Sequence, residues 1–148
     1  MPRRARVTPI PYRAVMGESK RKGGIAEAAV LKVAIERGYL VAIPFGEDAP
    51  YDLIVDRGGR LERVQCKYVE SDGRCIVVRC RSTNGWATKK YTATDVDWIA
   101  TFDATTGECY FVPAALLDSG RAVLHLRLSP ARNNQVNGVR HATDFLAW

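Results

Sequence analysis

Asp52 is followed thirteen residues later by Gln65-Cys66-Lys67. Asp52 opens the apolar run Asp52-Leu53-Ile54-Val55, and Gln65 and Lys67 stand within Arg63-Val64-Gln65-Cys66-Lys67-Tyr68. Between the two segments, Arg57-Gly58-Gly59-Arg60 reads as a hairpin turn. Folding that hairpin brings the segments side by side. Residues two apart on a strand share a face, so Gln65 and Lys67 point the same way and Cys66 turns towards the core. A carboxylate, an amide oxygen and an ammonium then converge on one spot. Oxygen ligands suit a hard cation such as Mg²⁺ or Mn²⁺, and a lysine beside them can hold a phosphate as a point charge. Together these groups could cleave a phosphodiester with the help of a metal.

The elements that must position them follow from local pattern. A helix is expected from Ser19 or Gly24 to Arg37, stopped by Gly38. At about 100° per residue, Val30, Leu31, Ala34 and Gly38 fall near Glu27, which places Glu27 in the middle of the apolar stripe. A carboxylate there needs a partner or a metal; a Glu at the start of a helix can also simply reach solvent. Tyr39–Ile43 reads as a short strand, and 44–50 as a turn-rich approach to the strand from Asp52. The hairpin partner runs to about Val69, and Cys75–Cys80 forms the next strand. Residues 82–95 are polar and read as a loop. Trp98–Phe102 and Glu108–Val112 form a second hairpin, Pro113–Leu117 one helical turn, and Val123–Leu128 a strand. The segment from Pro130 is polar and Asn-rich until Phe145-Leu146-Ala147-Trp148. The expected fold is α/β, with an N-terminal helix packed on a mixed β-sheet.

Length and composition agree with that reading. The 148 residues suit one domain with its own core, and 47% hydrophobic with 26% charged is ordinary for a soluble globular chain. No stretch has the apolar length of a membrane span, and the basic N-terminus lacks the apolar run of a secretory signal. The four cysteines, Cys66, Cys75, Cys80 and Cys109, include no C-x-x-C pair, which argues against zinc and for reduced thiols in the cytoplasm of a prokaryote, or of a host if the gene is viral. The net charge is +6, and residues 1–22 carry all of it: Arg3, Arg4, Arg6, Arg13, Lys20, Arg21 and Lys22 against Glu18. Residues 1–17 therefore read as a basic arm, with one domain over 18–148, and such an arm suits a polyanion. It also suits a solvated tail.

Glu27, Pro50-Tyr51-Asp52 and Gln65-Cys66-Lys67, in that order and in a helix-then-hairpin context, resemble the PD-(D/E)xK nuclease superfamily. Arg21-Lys22-Gly23 followed by Glu27 looks like the opening helix of archaeal-type Holliday junction resolvases. Pro50–Val55 with Arg63–Lys67 is also similar to the group I intron homing endonuclease branch, where some members carry Gln-x-Lys. The resemblance covers about residues 20–70 and is fainter from Trp98 to Pro113. It implies a restriction-endonuclease-like core and the catalytic set Glu27, Asp52, Gln65 and Lys67. Mg²⁺, with Mn²⁺ as substitute, would be held by Asp52, Gln65, the Cys66 backbone carbonyl and Glu27. The chain departs from the pattern at Gln65, where an acid is expected; an amide oxygen can ligate the ion but leaves the site one negative charge short.

Three functions follow from the resemblance. The first is structure-selective cleavage of four-way DNA junctions by a homodimer, since a junction is resolved by two symmetric cuts; a tetramer is the alternative assembly. The second is a site-specific homing or restriction-type endonuclease acting on duplex DNA. The third is an inactive module that only binds DNA. Besides the basic residues of 1–22, Arg79, Arg81, Asn84, Lys89, Lys90 and Tyr91 stand in or beside the polar 82–95 stretch and could grip phosphates. Asn133, Asn134, Gln135, Asn137, Arg140 and His141 could contact a groove, and both groups also suit a solvated surface.

Overall fold

The computed structural model describes residues 16–118 and 120–148, with Asn84 described by its backbone alone. Its first element is α1, Glu18–Glu36. The helix ends as the sequence demands. Gly38 takes φ 77°, and its N–H donates to the Ile35 carbonyl while the Tyr39 N–H reaches back to the Ala34 carbonyl, both at 2.9 Å. This is the paired bonding of a Schellman motif, and it needs a residue without a Cβ at the left-handed position.

Among the described residues nine strands follow: β1 Leu40–Ala42, β2 Leu53–Asp56, β3 Leu61–Val69, β4 Cys75–Arg79, β5 Arg81–Asn84, β6 Ala87–Lys90, β7 Trp98–Asp103, β8 Glu108–Pro113 and β9 Val123–Arg127. Five of them form one sheet in the order β1-β2-β3-β7-β8. All its pairs are antiparallel except β3 with β7, so the sheet is mixed. The β2–β3 hairpin closes at Gly58-Gly59, both at positive φ, where the Arg57 N–H donates to the Arg60 carbonyl at 2.9 Å. Two consecutive positive φ values define a I′ turn, whose twist matches that of the strands it joins.

The two faces of this sheet pack differently. On one face α1 lays down Ala26, Val30 and Ala34 against Leu53, Val55, Val64, Cys66, Ala100 and Phe111, with Trp148 stacked on Phe111 at 4.4 Å. On the other face, β4 and β9 form a two-stranded sheet whose Ile76, Val78, Leu124 and Leu126 pack with Ile99, Tyr110 and Val112. That cover leaves the β1–β2 end of the face open: Leu40 and Leu61 are exposed there. Residues 82–95, expected as loop, instead contain the two-stranded ribbon β5–β6. Its strands are polar on both faces, so they lack the alternation that marks a strand half-buried in a core. A 3₁₀ turn covers Ala114–Leu117 and another Ala142–Phe145. No helix among the described residues is long and apolar enough to cross a membrane. The architecture is α/β, a helix packed on a mixed sheet, as expected.

Candidate active site

Asp52 sits one residue before β2, and its backbone N–H continues the ladder to the Val64 carbonyl at 2.9 Å. That register puts its carboxylate beside Gln65 and Cys66. Asp52 Oδ2 accepts from Gln65 Nε2 at 2.6 Å and from the Cys66 backbone N–H at 2.8 Å. Gln65 Nε2 also donates to the Cys66 carbonyl at 3.1 Å. The amide nitrogen of Gln65 thus bridges two oxygens that the family resemblance implies as metal ligands. Rotating the amide exchanges that nitrogen for Oε1 and gathers three oxygens, a hard-donor set that fits Mg²⁺ or Mn²⁺. Only the carbonyl of Cys66 joins this cluster: its side chain lies in the α1 core, where burial pushes the thiol well up from its usual range.

Lys67 shares the Gln65 face, two residues along β3. Its Nζ lies 3.3 Å from the Arg81 carbonyl, 3.5 Å from the Tyr91 hydroxyl, and 5.0 Å from the centre of the Tyr91 ring. Tyr91 is buried, 4% exposed, and burial raises the pKa of its hydroxyl. The sequence marked Tyr91 only as a surface contact; its role against Lys67 depends on a turn of chain 24 residues away. An aromatic residue directly after the polar stretch 81–90 was the available signal.

The electrostatics of the three groups are linked. Burial raises the Asp52 carboxyl, partly opposed by the Cys66 N–H and by Lys67. Burial lowers the Lys67 ammonium, opposed chiefly by Asp52. Glu27 is raised first by partial desolvation and then by the charge of Asp52, so the two carboxylates feel one another across the helix–sheet junction. Two raised carboxylates and no fully compensating cation describe a site short of positive charge.

The position of Glu27 corrects one expectation. The buried stripe of α1 runs through Ala26, Val30 and Ala34, and Glu27 is exposed on its flank rather than at its centre. Alanines carry little hydrophobic signal, so the true stripe was hidden between more apolar neighbours. Glu27 still stands within electrostatic reach of Asp52, whose charge helps to raise its carboxyl.

Other expected contacts divide. Arg3, Arg4, Arg6 and Arg13 lie outside the described residues. Lys20 is exposed; Arg21 is paired with Glu18 at 2.8 Å, and Lys22 with Glu70 at 3.1 Å. Arg81 and Lys90 are exposed at the root of the ribbon, Lys89 is paired with Asp95 at 2.8 Å, and Asn84 ends β5. A cleft of about 400 Å³ between the ribbon and the approach to Asp52 is lined by Glu47, Asp48, Pro50, Ser82, Lys89 and Tyr91. His125 Nδ1 lies 3.6 Å from Cys75 Sγ across the β4–β9 pair. Fifty residues separate them, and only strand pairing could bring them together. All four cysteines are free.

Comparison with known proteins agrees with this geometry. The profile of the PD-(D/E)XK endonuclease family matches residues 17–148. No curated relative matches significantly. Among solved structures, the bacterial homing endonuclease I-Ssp6803I is similar, with a TM-score of 0.66 and 28% sequence identity over 82% of this chain and 86% of that one. With the helix-on-mixed-sheet fold and the Asp52, Gln65 and Lys67 constellation in place, the chain belongs to the PD-(D/E)XK endonuclease family.

Proposed function

We propose that the protein is a metal-dependent endonuclease that hydrolyses phosphodiester bonds at specific sites in duplex DNA, in the manner of a homing enzyme. The observation that carries this reading is the convergence of Asp52, the Cys66 carbonyl, Gln65 and Lys67 on one sheet face. The likeness to a homing endonuclease over most of both chains favours site-specific cutting over junction cleavage.

Asp52, the Cys66 carbonyl and a rotated Gln65 amide would hold Mg²⁺ or Mn²⁺, with Glu27 within electrostatic reach. Such an ion supplies Lewis acidity towards the phosphate and a hydroxide source near neutral pH. Lys67 stands beside it as a point charge for the phosphate oxygens or the attacking water. The Arg81 carbonyl and Tyr91 orient its ammonium, and its lowered pKa reflects the water it has lost. Gln65 keeps the ligand count of the acid it replaces at one less charge. Cutting both strands calls for two such sites, hence a homodimer or a higher symmetric assembly.

The test is a cleavage assay in Mg²⁺ with three substrates: genomic DNA, an immobile four-way junction, and a plain duplex with the arm sequences of the junction. Cutting of genomic DNA at a few positions is the expected result, abolished by Asp52→Ala or Lys67→Ala. Paired symmetric nicks in the junction alone would replace this reading with a resolvase, to which the helix opening Arg21-Lys22-Gly23 and Glu27 is similar. Tight binding without cleavage in either Mg²⁺ or Mn²⁺ would mean that Gln65 marks a site that binds and does not cut.

A further inference from the structure

The β5–β6 ribbon stands away from both cores. Among the described strands its two pair only with each other, in the register Arg81↔Lys90, Ser82↔Lys89, Thr83↔Thr88 and Asn84↔Ala87. Every described side chain in it is exposed except the half-buried Ser82. Gly85 at φ 53° opens the two-residue turn, as a II′ turn requires, and Trp86 completes it. That turn asks nothing of its second position that an indole supplies. Trp86 is nevertheless fully exposed, at 104%. An unsupported two-strand ribbon is marginal in water, and an exposed indole adds apolar surface without burying any. Neither feature stabilises the free protein.

The charges on the ribbon are arranged at a cost as well. Arg81 and Lys90 are directly opposite one another, and directly opposed residues share a face, so two cations meet across the root. Lys89, on the other face, is neutralised by Asp95, whereas Glu47 and Asp48 line the cleft on that side. The outer face is therefore the cationic one. Like charges held together in this way are relieved by a polyanion lying across them.

The dimensions choose the groove. Four-residue strands at about 3.3 Å per residue make a finger roughly 13 Å long, enough to pass the roughly 8.5 Å depth of a major groove while its root stays at the phosphates. Two strands roughly 4.8 Å apart, with side chains, exceed a minor groove about 6 Å wide. The root also touches the site, since the Arg81 carbonyl accepts from Lys67 and Tyr91 follows β6 directly. Resting on the endonuclease reading above, we propose that the β5–β6 ribbon enters the major groove of the duplex being cut, with Arg81 and Lys90 on the flanking phosphates and Trp86 against the base edges, where an indole can meet a thymine methyl. The element that reads the bases is then bonded to the lysine that acts on the phosphate.

The test uses the full chain in a Lys67→Ala background, so that the DNA stays intact, and follows binding to a labelled duplex. Trp86→Ala is expected to weaken binding about tenfold or more, within the range for loss of one base–aromatic contact, with an unchanged melting temperature. Arg81→Ala and Lys90→Ala are each expected to reduce the slope of log K against log[salt] by about 0.9. Methyl green, which fills the major groove, should block the Trp86-dependent part of binding, and the minor-groove ligand netropsin should not. Equal affinity of Trp86→Ala and its parent overturns the proposal, as does block by netropsin alone. A change in sedimentation on Trp86→Ala, without a change in affinity, assigns the indole to self-association and also overturns it. If the unsubstituted chain neither binds nor cuts any duplex, the endonuclease reading itself has failed; if it does both and Trp86→Ala binds as well, only the ribbon proposal falls.

Discussion

Along β3, Val64, Cys66 and Tyr68 turn towards α1, while Arg63, Gln65 and Lys67 turn the other way. The first set joins a face closed by Leu53, Val55, Ala100 and Phe111, where each side chain gains by leaving water. The second set belongs to a face only partly covered by β4 and β9. There the Asp52 carboxyl is raised and the Lys67 ammonium lowered, each pushed towards its neutral form by the water it has lost. One strand thus feeds a face that stabilises the fold and a face whose groups are less content in the free protein than in solvent.

Asp52→Ala should break the second face alone. Cleavage is expected to fall by about 10⁴-fold or more, equivalent to roughly 5.5 kcal/mol of barrier, while the melting temperature holds or rises. A large fall in melting temperature would mean that Asp52 belongs to the structural face. Phe111→Ala should do the reverse: about 3–5 kcal/mol of stability lost in denaturant titration, with the cleavage rate per folded molecule unchanged.

Gln65→Glu sharpens the comparison. It sets a second carboxylate where the amide now donates to Asp52 at 2.6 Å. Metal affinity, measured by calorimetric titration, should rise about tenfold, or about 1.4 kcal/mol. Stability without metal should fall, since the amide hydrogen bond becomes a repulsion. An unchanged affinity would remove Gln65 from the ligand set.

The pH dependence of metal-free stability follows from the same shifts. The folded Asp52 pKa is raised, so between its unfolded and folded values the native state binds more protons, and this group costs stability as pH rises through that window. Lys67 is lowered, so the native state gives up its proton earlier, and its cost is relieved as pH rises from its folded value towards its unfolded one. Both costs stand together near neutral pH. Asp52→Asn should remove the acid-side dependence and raise metal-free stability at neutral pH, and Mg²⁺ should raise the melting temperature of the parent chain and leave that of Asp52→Asn unmoved. The smallest expected effect is that of Tyr91→Phe. Losing the hydroxyl 3.5 Å from Lys67 while keeping the ring should slow single-turnover cleavage about threefold, about 0.65 kcal/mol in barrier. No change would leave the Arg81 carbonyl as the group that orients the lysine.

Much of the second face was legible because it is local. Gln65 and Lys67 share a face through the period of two, and Gly58-Gly59 specifies the turn that sets Asp52 against them. The end of α1 was legible for the same reason, since Gly38 supplies the left-handed residue that stops a helix. Glu27 was misplaced within its helix because the stripe that buries α1 is made of alanine and valine, whose burial is decided by how closely the helix approaches the sheet. The β5–β6 ribbon escaped notice because a strand exposed on both faces leaves no alternating pattern.

The order of residue types along the chain determined the elements, the hairpin and the set of groups at the site, since each depends on neighbours a few bonds away. Only the tertiary structure decided that β3 pairs with β7 in parallel, that β4 and β9 cover part of the site face, that Tyr91 stands against Lys67, and that Glu27 feels the charge of Asp52. Those contacts join segments far apart in sequence, and whether they form is settled by which apolar faces exclude water together, a quantity that no local pattern contains.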